Sequence, residues 1–241
     1  MAESETAHPR MKVLFLGFVL THYFNDLLRC IQQEGNIEIV FAGVAGGNPR
    51  SGAAVYEIRE NLGFRVVELK EELRECPWRY PLLELARFQK PSYCSFPELD
   101  ALLSAERPHV VVASADHFEL FAYDRNVTRT MERLGIRLVF HSIPFWLSTW
   151  EEEEARCTRQ SALQLKSFPR LVRPFATAFR VGQAYSRLVR RRTLLKVIEA
   201  RKTVFNVAEA HACYFEGGID VYGSYGVPRE KIHVVRNSPD T

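Results

Sequence analysis

Three short polar stretches carry the chemistry that this sequence offers: Thr21, His22, Tyr23 and Asn25; then Asp116 and His117; then His141 and Ser142. Each follows an apolar run that reads as a buried strand, and in open α/β sheets ligands bind just outside the carboxyl ends of the strands. A carboxylate and several imidazoles on one rim can give, take or hold the proton of a bound hydroxyl. Each residue also has an ordinary reading. Asp116 and Asn25 stand where a short polar side chain caps a helix, and a histidine taken singly is most simply a hydrogen-bonded structural residue. What favours function is shared location, because loops from neighbouring strands converge.

The elements that must position these residues follow from periodicity. Met11 to Phe18 and His109 to Asp116 are short apolar runs of the kind found in strands buried on both faces, and Ile37–Val44, Phe64–Leu69 and Ile136–Ser142 read as further strands. Between them, Phe24, Leu27, Leu28 and Ile31 fall at helical spacing before Gly35. Further helices are expected at about 52–62, at Leu99–Glu106 before Arg107-Pro108, and from about Phe118 to Leu134 before Gly135. The stretch from Glu71 to Pro97, with four prolines, shows no regular pattern. Strands alternating with helices imply βαβ units with right-handed crossovers. The expected fold is therefore α/β, a doubly wound and mostly parallel sheet, preceded by a disordered tail at 1–10.

Several functions are disfavoured by what is missing. The loop Phe18–Asp26 lacks the glycines that bring a helix N-terminus against a pyrophosphate, so a dinucleotide-binding domain is not indicated. Ala42-Gly43-Val44-Ala45-Gly46-Gly47 lies after the second strand and reads as a flexible loop. No P-loop, Gly-x-Ser-x-Gly or paired-histidine metal motif occurs. Five cysteines, an odd number without a Cys-x-x-Cys pair, suit a reducing compartment, and the polar, acidic start is unlike a signal peptide. A cytoplasmic chain is expected, on which the Asn126-Val127-Thr128 sequon is a chance match.

The net charge is only +3, but from Arg156 to Lys202 thirteen Lys and Arg residues face one acid, Glu199. This region, about 150–207, opens with Glu151–Glu154 and continues as a basic amphipathic helical insertion. Phe168, Leu171, Val172, Phe175 and Phe179 fall on one side, with Arg173 and Arg180 elsewhere. Arg187, Arg190, Arg191 and Arg192 belong to a second basic stretch. Such helices suit an anionic membrane surface. They equally suit packing on the sheet with a solvated basic face. Nucleic acid is not expected, since no accompanying motif supports it.

The element order and the end of the chain together resemble the N-terminal, acceptor-side lobe of GT-B fold glycosyltransferases of the family 4 type. The residues that carry the resemblance are Leu14-Phe-Leu-Gly-Phe18 with Thr21–Asn25, Arg107-Pro108-His-Val-Val-Val112, Leu134–Phe140, Ala208-Glu-Ala-His211 and, most specifically, Tyr225-Gly-Val-Pro228 through Asn237-Ser-Pro-Asp240. The resemblance implies two Rossmann-like lobes across a cleft. The N-terminal lobe shapes the acceptor site. A second lobe, expected to be missing from this sequence, holds the nucleotide-sugar donor, and no cofactor or metal is expected on this one. Transfer is retaining in most members. By position, Asp116 and His141 would be catalytic, with Asp116 orienting or deprotonating the acceptor hydroxyl. Thr21, His22, His117 and Ser142 would contact the acceptor. Asn237–Asp240 resembles the motif leading into the second lobe. This sequence departs from the family at Thr21-His22-Tyr23, where many members carry paired glycines.

The implied partners are a separate C-terminal glycosyltransferase lobe, a lipid-linked or glycan acceptor, and an anionic membrane surface met through Arg173, Arg180, Arg187, Arg190, Arg191 and Arg192. That would place the chain in the cytoplasm, peripheral at the inner membrane face. The alternative is a non-catalytic membrane-surface or partner-binding module on the same fold.

Overall fold

A computed structural model describes residues 10–17, 20, 22–34, 36–44, 63–77, 92–142, 147–155, 192 and 195–235, with the backbone alone at His22 and Tyr23. Residues 1–9, Thr21, the expected helix at 52–62, the basic residues Arg173, Arg180, Arg187, Arg190 and Arg191, and Asn237–Asp240 lie outside the described residues. The elements in chain order are β1 (Met11–Leu16), α1 (His22–Gln33), β2 (Ile37–Val44), β3 (Arg65–Leu69), β4 (Glu72–Glu75), β5 (Ser92–Ser95), α2 (Leu99–Glu106) and β6 (Val110–Ser114). There follow α3 (Phe118–Tyr123), α4 (Arg125–Leu134), β7 (Arg137–Ser142), a helix at 195–207 (α5), β8 (Ala210–Cys213), α6 (Gly217–Ser224) and β9 (Ile232–Val234).

The main sheet has seven strands in the order β3-β2-β1-β6-β7-β8-β9. Its β1–β2, β1–β6, β2–β3 and β6–β7 pairings are parallel, with Leu16 beside Ala113 and Ser114 beside His141. The fold class is the expected α/β, doubly wound, mostly parallel sheet. Strand order reverses between β1 and β6, which opens a crevice at their carboxyl ends.

The chain divides into two compact units, the first comprising Met1–Arg74, Cys94–His141 and Ala208–His211, the second Glu75–Tyr93, Ser142–Val207 and Ala212–Thr241. In the first unit, alternation along β1 sends Val13 and Phe15 to one face and Leu14 and Leu16 to the other, and all four are buried. Val13 and Phe15 join Leu20, Leu28, Ile39 and Phe41 in a cluster on which Phe24 and Ile31 of α1 pack. The buried stripe of α1 is thus Phe24, Leu28 and Ile31; Leu27, expected in it, is 41% exposed because its position is rotated about 100° from Leu28. At the amino ends of the strands, the buried Glu106 carboxylate meets Lys12 Nζ at 3.3 Å and Arg65 Nη1 at 2.5 Å. The Lys12–Glu38 pair at 2.8 Å completes the network, and hydrogen bonding to Glu38 outweighs burial in raising the Lys12 pKa.

Three expectations need correction. The irregular stretch Glu71–Pro97 holds β4 and β5, which form their own two-stranded sheet. The helix expected over Phe118–Leu134 is two helices. Asp124 is extended (φ −84°, ψ 95°), and its Oδ1 accepts from Asn126 N at 3.1 Å and Val127 N at 3.4 Å. That capping geometry restarts the helix although no proline or glycine marks the place. Gly43 belongs to β2 rather than to a flexible loop. A Cβ there would stand 2.6 Å from Phe41 Cε1, and Phe41 is a fully packed core ring. Gly43→Ala is therefore expected to destabilise the first unit by about 1–3 kcal/mol through overpacking. A urea midpoint unchanged from wild type would show that Phe41 moves aside freely.

In the second unit the residues of the closing stretch act as packing. Tyr222 and Tyr225 are fully buried, and Phe205 stands edge-on to both at 5.2 and 5.5 Å. Tyr225 OH donates to Ser148 O at 3.1 Å and accepts from Arg201 Nη1 at 3.0 Å. Arg201 in turn pairs with the buried Glu153 at 3.5 Å, so neither the acidic run nor the basic block is purely solvated. Gly226 takes φ +80°, the left-handed region that glycine enters without strain, and Asn206 Nδ2 bonds Tyr225 O beside it at 2.9 Å.

Candidate functional site

The β1–β6 crevice sets the site. α1 begins at His22, and the fourth residue of that helix, Asn25, is interior to it and not its cap. Asn25 is only 2% exposed, and its Oδ1 is sealed without a hydrogen-bond partner among the described residues. A buried amide oxygen left in that state costs roughly 1–3 kcal/mol unless water or a ligand meets it.

Beyond β6, residues Ala115–His117 form a single 3₁₀ turn. Ser114 Oγ accepts from Asp116 N at 3.4 Å, so Ser114 is the cap, while α3 follows His117 with no side-chain cap. Asp116 is thereby released from the capping role that its position suggested, and it is exposed. His117, the next residue, is 2% exposed and stands edge-on to Phe96, 5.6 Å between ring centres at 70°. Burial first, and the neighbouring His141 second, push its pKa down to about 4. One strand over, His141 ends the paired part of β7 and stacks on Phe24 at 5.4 Å and 22°. Burial pushes His141 down to about 4 as well. His141 retains some exposed surface, but its Nδ1 is sealed and has no hydrogen-bond partner among the described residues.

Both imidazoles are therefore neutral at pH 7, each able to donate from one ring nitrogen and accept at the other. The aromatic wall behind them is itself braced: Phe24 packs edge-on against Phe15 at 5.9 Å and Phe41 at 6.2 Å. The rim holds an exposed carboxylate and two neutral imidazoles against aromatic surfaces. Such a set suits a hydroxyl-bearing ligand better than an anion, since neither ring carries a positive charge.

The structure thus brings Asp116, His117 and His141 to the ends of two adjacent strands. His22 heads the helix after the third. Ser142 is different. Alternation along β7 turns it to the face opposite His141, where it is buried and its hydroxyl is hydrogen-bonded to that of Tyr222. Of the basic residues expected to meet a membrane, Arg192 alone is described, and it is exposed and helical. Among the described residues, no helix is long and apolar enough to cross a membrane, and no group of three or more His, Cys, Asp or Glu side chains is placed to hold a metal.

Sequence reasoning did not find the walls of the site. Phe24 was legible only as a core residue of α1, and Phe96 lay in the stretch without a pattern. Their roles arise from tertiary neighbours, His141 and His117, that no local spacing reveals.

No family model and no curated protein matches the chain. Solved structures similar to it include HepE of Anabaena in complex with UDP (12% identity, TM-score 0.46), over 95% of this chain and 45% of that one. A UDP-glucosyltransferase from Polygonum tinctorium matches at 14% identity and TM-score 0.41, over 97% of this chain and 53% of that one. A short-chain dehydrogenase/reductase from Veillonella parvula in complex with NADP matches at 11% and 0.33, over 84% and 67%. The chain spans about half the length of HepE and of the UDP-glucosyltransferase. Likeness at this level carries no argument about activity, and the fold class rests on the strand order.

Proposed function

We propose that this chain is the acceptor-binding half of a glycosyltransferase that moves a sugar from a nucleotide-sugar donor to a hydroxyl of a lipid-linked or other glycan acceptor, with retention. The observation that carries the reading is the rim at the β1–β6 crevice. Two neutral imidazoles and an exposed carboxylate stand there, and the first loop lacks the glycines that a phosphate needs. The resemblance of the chain's sequence to the acceptor-side lobe of family 4 glycosyltransferases supports the same assignment. The donor then belongs on a second lobe, on this or a separate polypeptide.

In this reading Asp116, the exposed carboxylate, accepts a hydrogen bond from the acceptor hydroxyl and holds its proton as the bond to the sugar forms. His141 and His117 orient that hydroxyl rather than remove its proton, because a ring with a pKa of about 4 is a weak base at pH 7. His22 and Thr21, from the first loop, would hold the rest of the acceptor. The basic residues from Arg173 to Arg192 would hold the chain against an anionic membrane, which brings a lipid-linked acceptor within reach.

The test supplies a C-terminal donor lobe and follows transfer from a UDP-sugar to polyprenyl-linked acceptors. Asp116→Asn is expected to lower kcat about 100-fold or more with little change in the melting temperature. Full activity of that variant would remove Asp116 from the reaction. Tight binding of a UDP-sugar to the isolated chain by calorimetry would place the donor here and overturn the division into halves. Salt-sensitive sedimentation with anionic vesicles but no transfer with any donor lobe would instead favour a non-catalytic membrane module.

A further inference from the structure

One buried carboxylate does more than cap a helix. Asp124 is 6% exposed, and its Oδ1 alone serves the start of α4. Its second oxygen, Oδ2, accepts from Ser95 Oγ at 2.9 Å and pairs with Arg74 Nη1 at 3.5 Å. A cap at the surface needs neither of these partners. Their effect is to fix the end of β5, since Ser95 is fully buried and held to Asp124 at its side chain. Phe96 follows immediately. Its carbonyl accepts from Leu99 N at 3.0 Å, so its backbone is clamped between the Ser95 anchor and the first turn of α2. Its ring, 1% exposed, is the one that stands edge-on to His117.

We propose that Asp124 is a positioning residue for the rim: through Ser95 it seats Phe96, and Phe96 fixes the ring of His117 and keeps water from it. The chain of contacts runs from one buried carboxylate to a buried imidazole just beyond β6, so Asp124 acts only through other side chains. The same carboxylate breaks the helix between α3 and α4. Caps of this kind hold a helix end in one place, and that break lies six residues beyond the start of α3, which His117 immediately precedes. The function assigned to His117 rests on the reading above, but its positioning does not.

The experiment uses the whole chain labelled at histidine side-chain nitrogens. Ser95→Ala removes one hydrogen bond without changing charge, and Phe96→Leu keeps burial but removes the ring edge. Both are expected to move the His117 ring resonances at pH 7. Both are also expected to raise its titration midpoint from about 4 toward the ordinary 6.5, as water reaches the ring. Glu106→Gln, in the ion network at the opposite ends of the strands, should lower the melting temperature yet leave the His117 resonances and midpoint in place. If Ser95→Ala and Phe96→Leu lower stability and leave His117 where it was, Asp124 is only a helix cap and the proposal falls. If His117 moves as expected while no sugar transfer is found with any donor lobe, the positioning stands and the glycosyltransferase reading fails on its own.

Discussion

Tyr225→Ala is expected to destabilise the protein by about 4 kcal/mol, the middle of the range for losing a buried aromatic ring. The side chain is fully buried, so its removal leaves a cavity lined by Phe205 and Trp150, whose rings meet it at 5.5 and 6.0 Å. Its hydroxyl is also a junction: it donates to Ser148 O and accepts from Arg201, which is held by Glu153. Losing the hydroxyl weakens a buried ion pair's surroundings as well as two hydrogen bonds. Tyr225→Phe separates the contributions. It keeps the ring, and about 1–2 kcal/mol of loss is expected from the hydroxyl alone. Urea unfolding followed by circular dichroism measures both. A loss below 1 kcal/mol for Tyr225→Ala would mean that the unit collapses around the missing ring, and that Tyr225 is not the anchor of the closing stretch.

That expectation bears on how the sequence was read. Tyr225-Gly226-Val227-Pro228 opens the stretch through Asp240 that carries the family resemblance most specifically, and nothing in its spacing says whether it serves chemistry or packing. In the structure it packs: the ring is buried, the glycine turns with φ +80°, and Val227 is 5% exposed. The strands were far more legible. Val13–Leu16 and Val110–Ala113 announce themselves as apolar runs because a parallel strand covered on both faces must be apolar throughout. The reversal between β1 and β6 was less legible: handedness fixes the sense of each crossover, whereas the pairing of Leu16 with Ala113 is a tertiary outcome. The Asp124 break was not, because Arg125–Thr130 remain acceptable helix formers and only the carboxylate's own hydrogen bonds stop α3. Phe24 and Phe96 escaped for a related reason. Burial is visible in a sequence, whereas which ring a buried phenylalanine meets depends on strands that are distant along the chain.

The two histidines differ from the buried carboxylates. Glu106 and Asp124 are buried with cations and donors around them, so their charge is compensated. His117 and His141 meet aromatic rings and each other. The buried Asn25 Oδ1 and His141 Nδ1 have no hydrogen-bond partner among the described residues, a state in which water or a ligand supplies the missing bond. Neutral rings here, against paired charges there, distinguish this rim from the ion network at the other end of the strands.

Stability is expected to fall steeply as pH drops from 6.5 toward 4, and these two rings are expected to be a main cause. Each has a folded pKa lowered to about 4 from an ordinary value of 6.5. Between those values the unfolded chain binds more protons than the folded one, so stability rises with pH there. The contribution is complete above about 6.5 and is lost as pH falls through the folded values. For fully buried His117 the lowering is equivalent to about 3 kcal/mol at most, and the partly exposed His141 contributes less. His117 faces the His141 imidazole and the Phe96 ring, among other neighbours, and beside it in sequence stands exposed Asp116. Urea midpoints at pH 7.5, 6.0 and 5.0 test this. His117→Phe, which keeps the ring edge of Phe96 packed but cannot titrate, should flatten the decline between pH 6.5 and 5 by about 1–2 kcal/mol relative to wild type. Parallel pH profiles for the two proteins would assign the acid sensitivity elsewhere. They would also mean that His117 is charged or hydrated in the folded state, contrary to the burial that defines the rim.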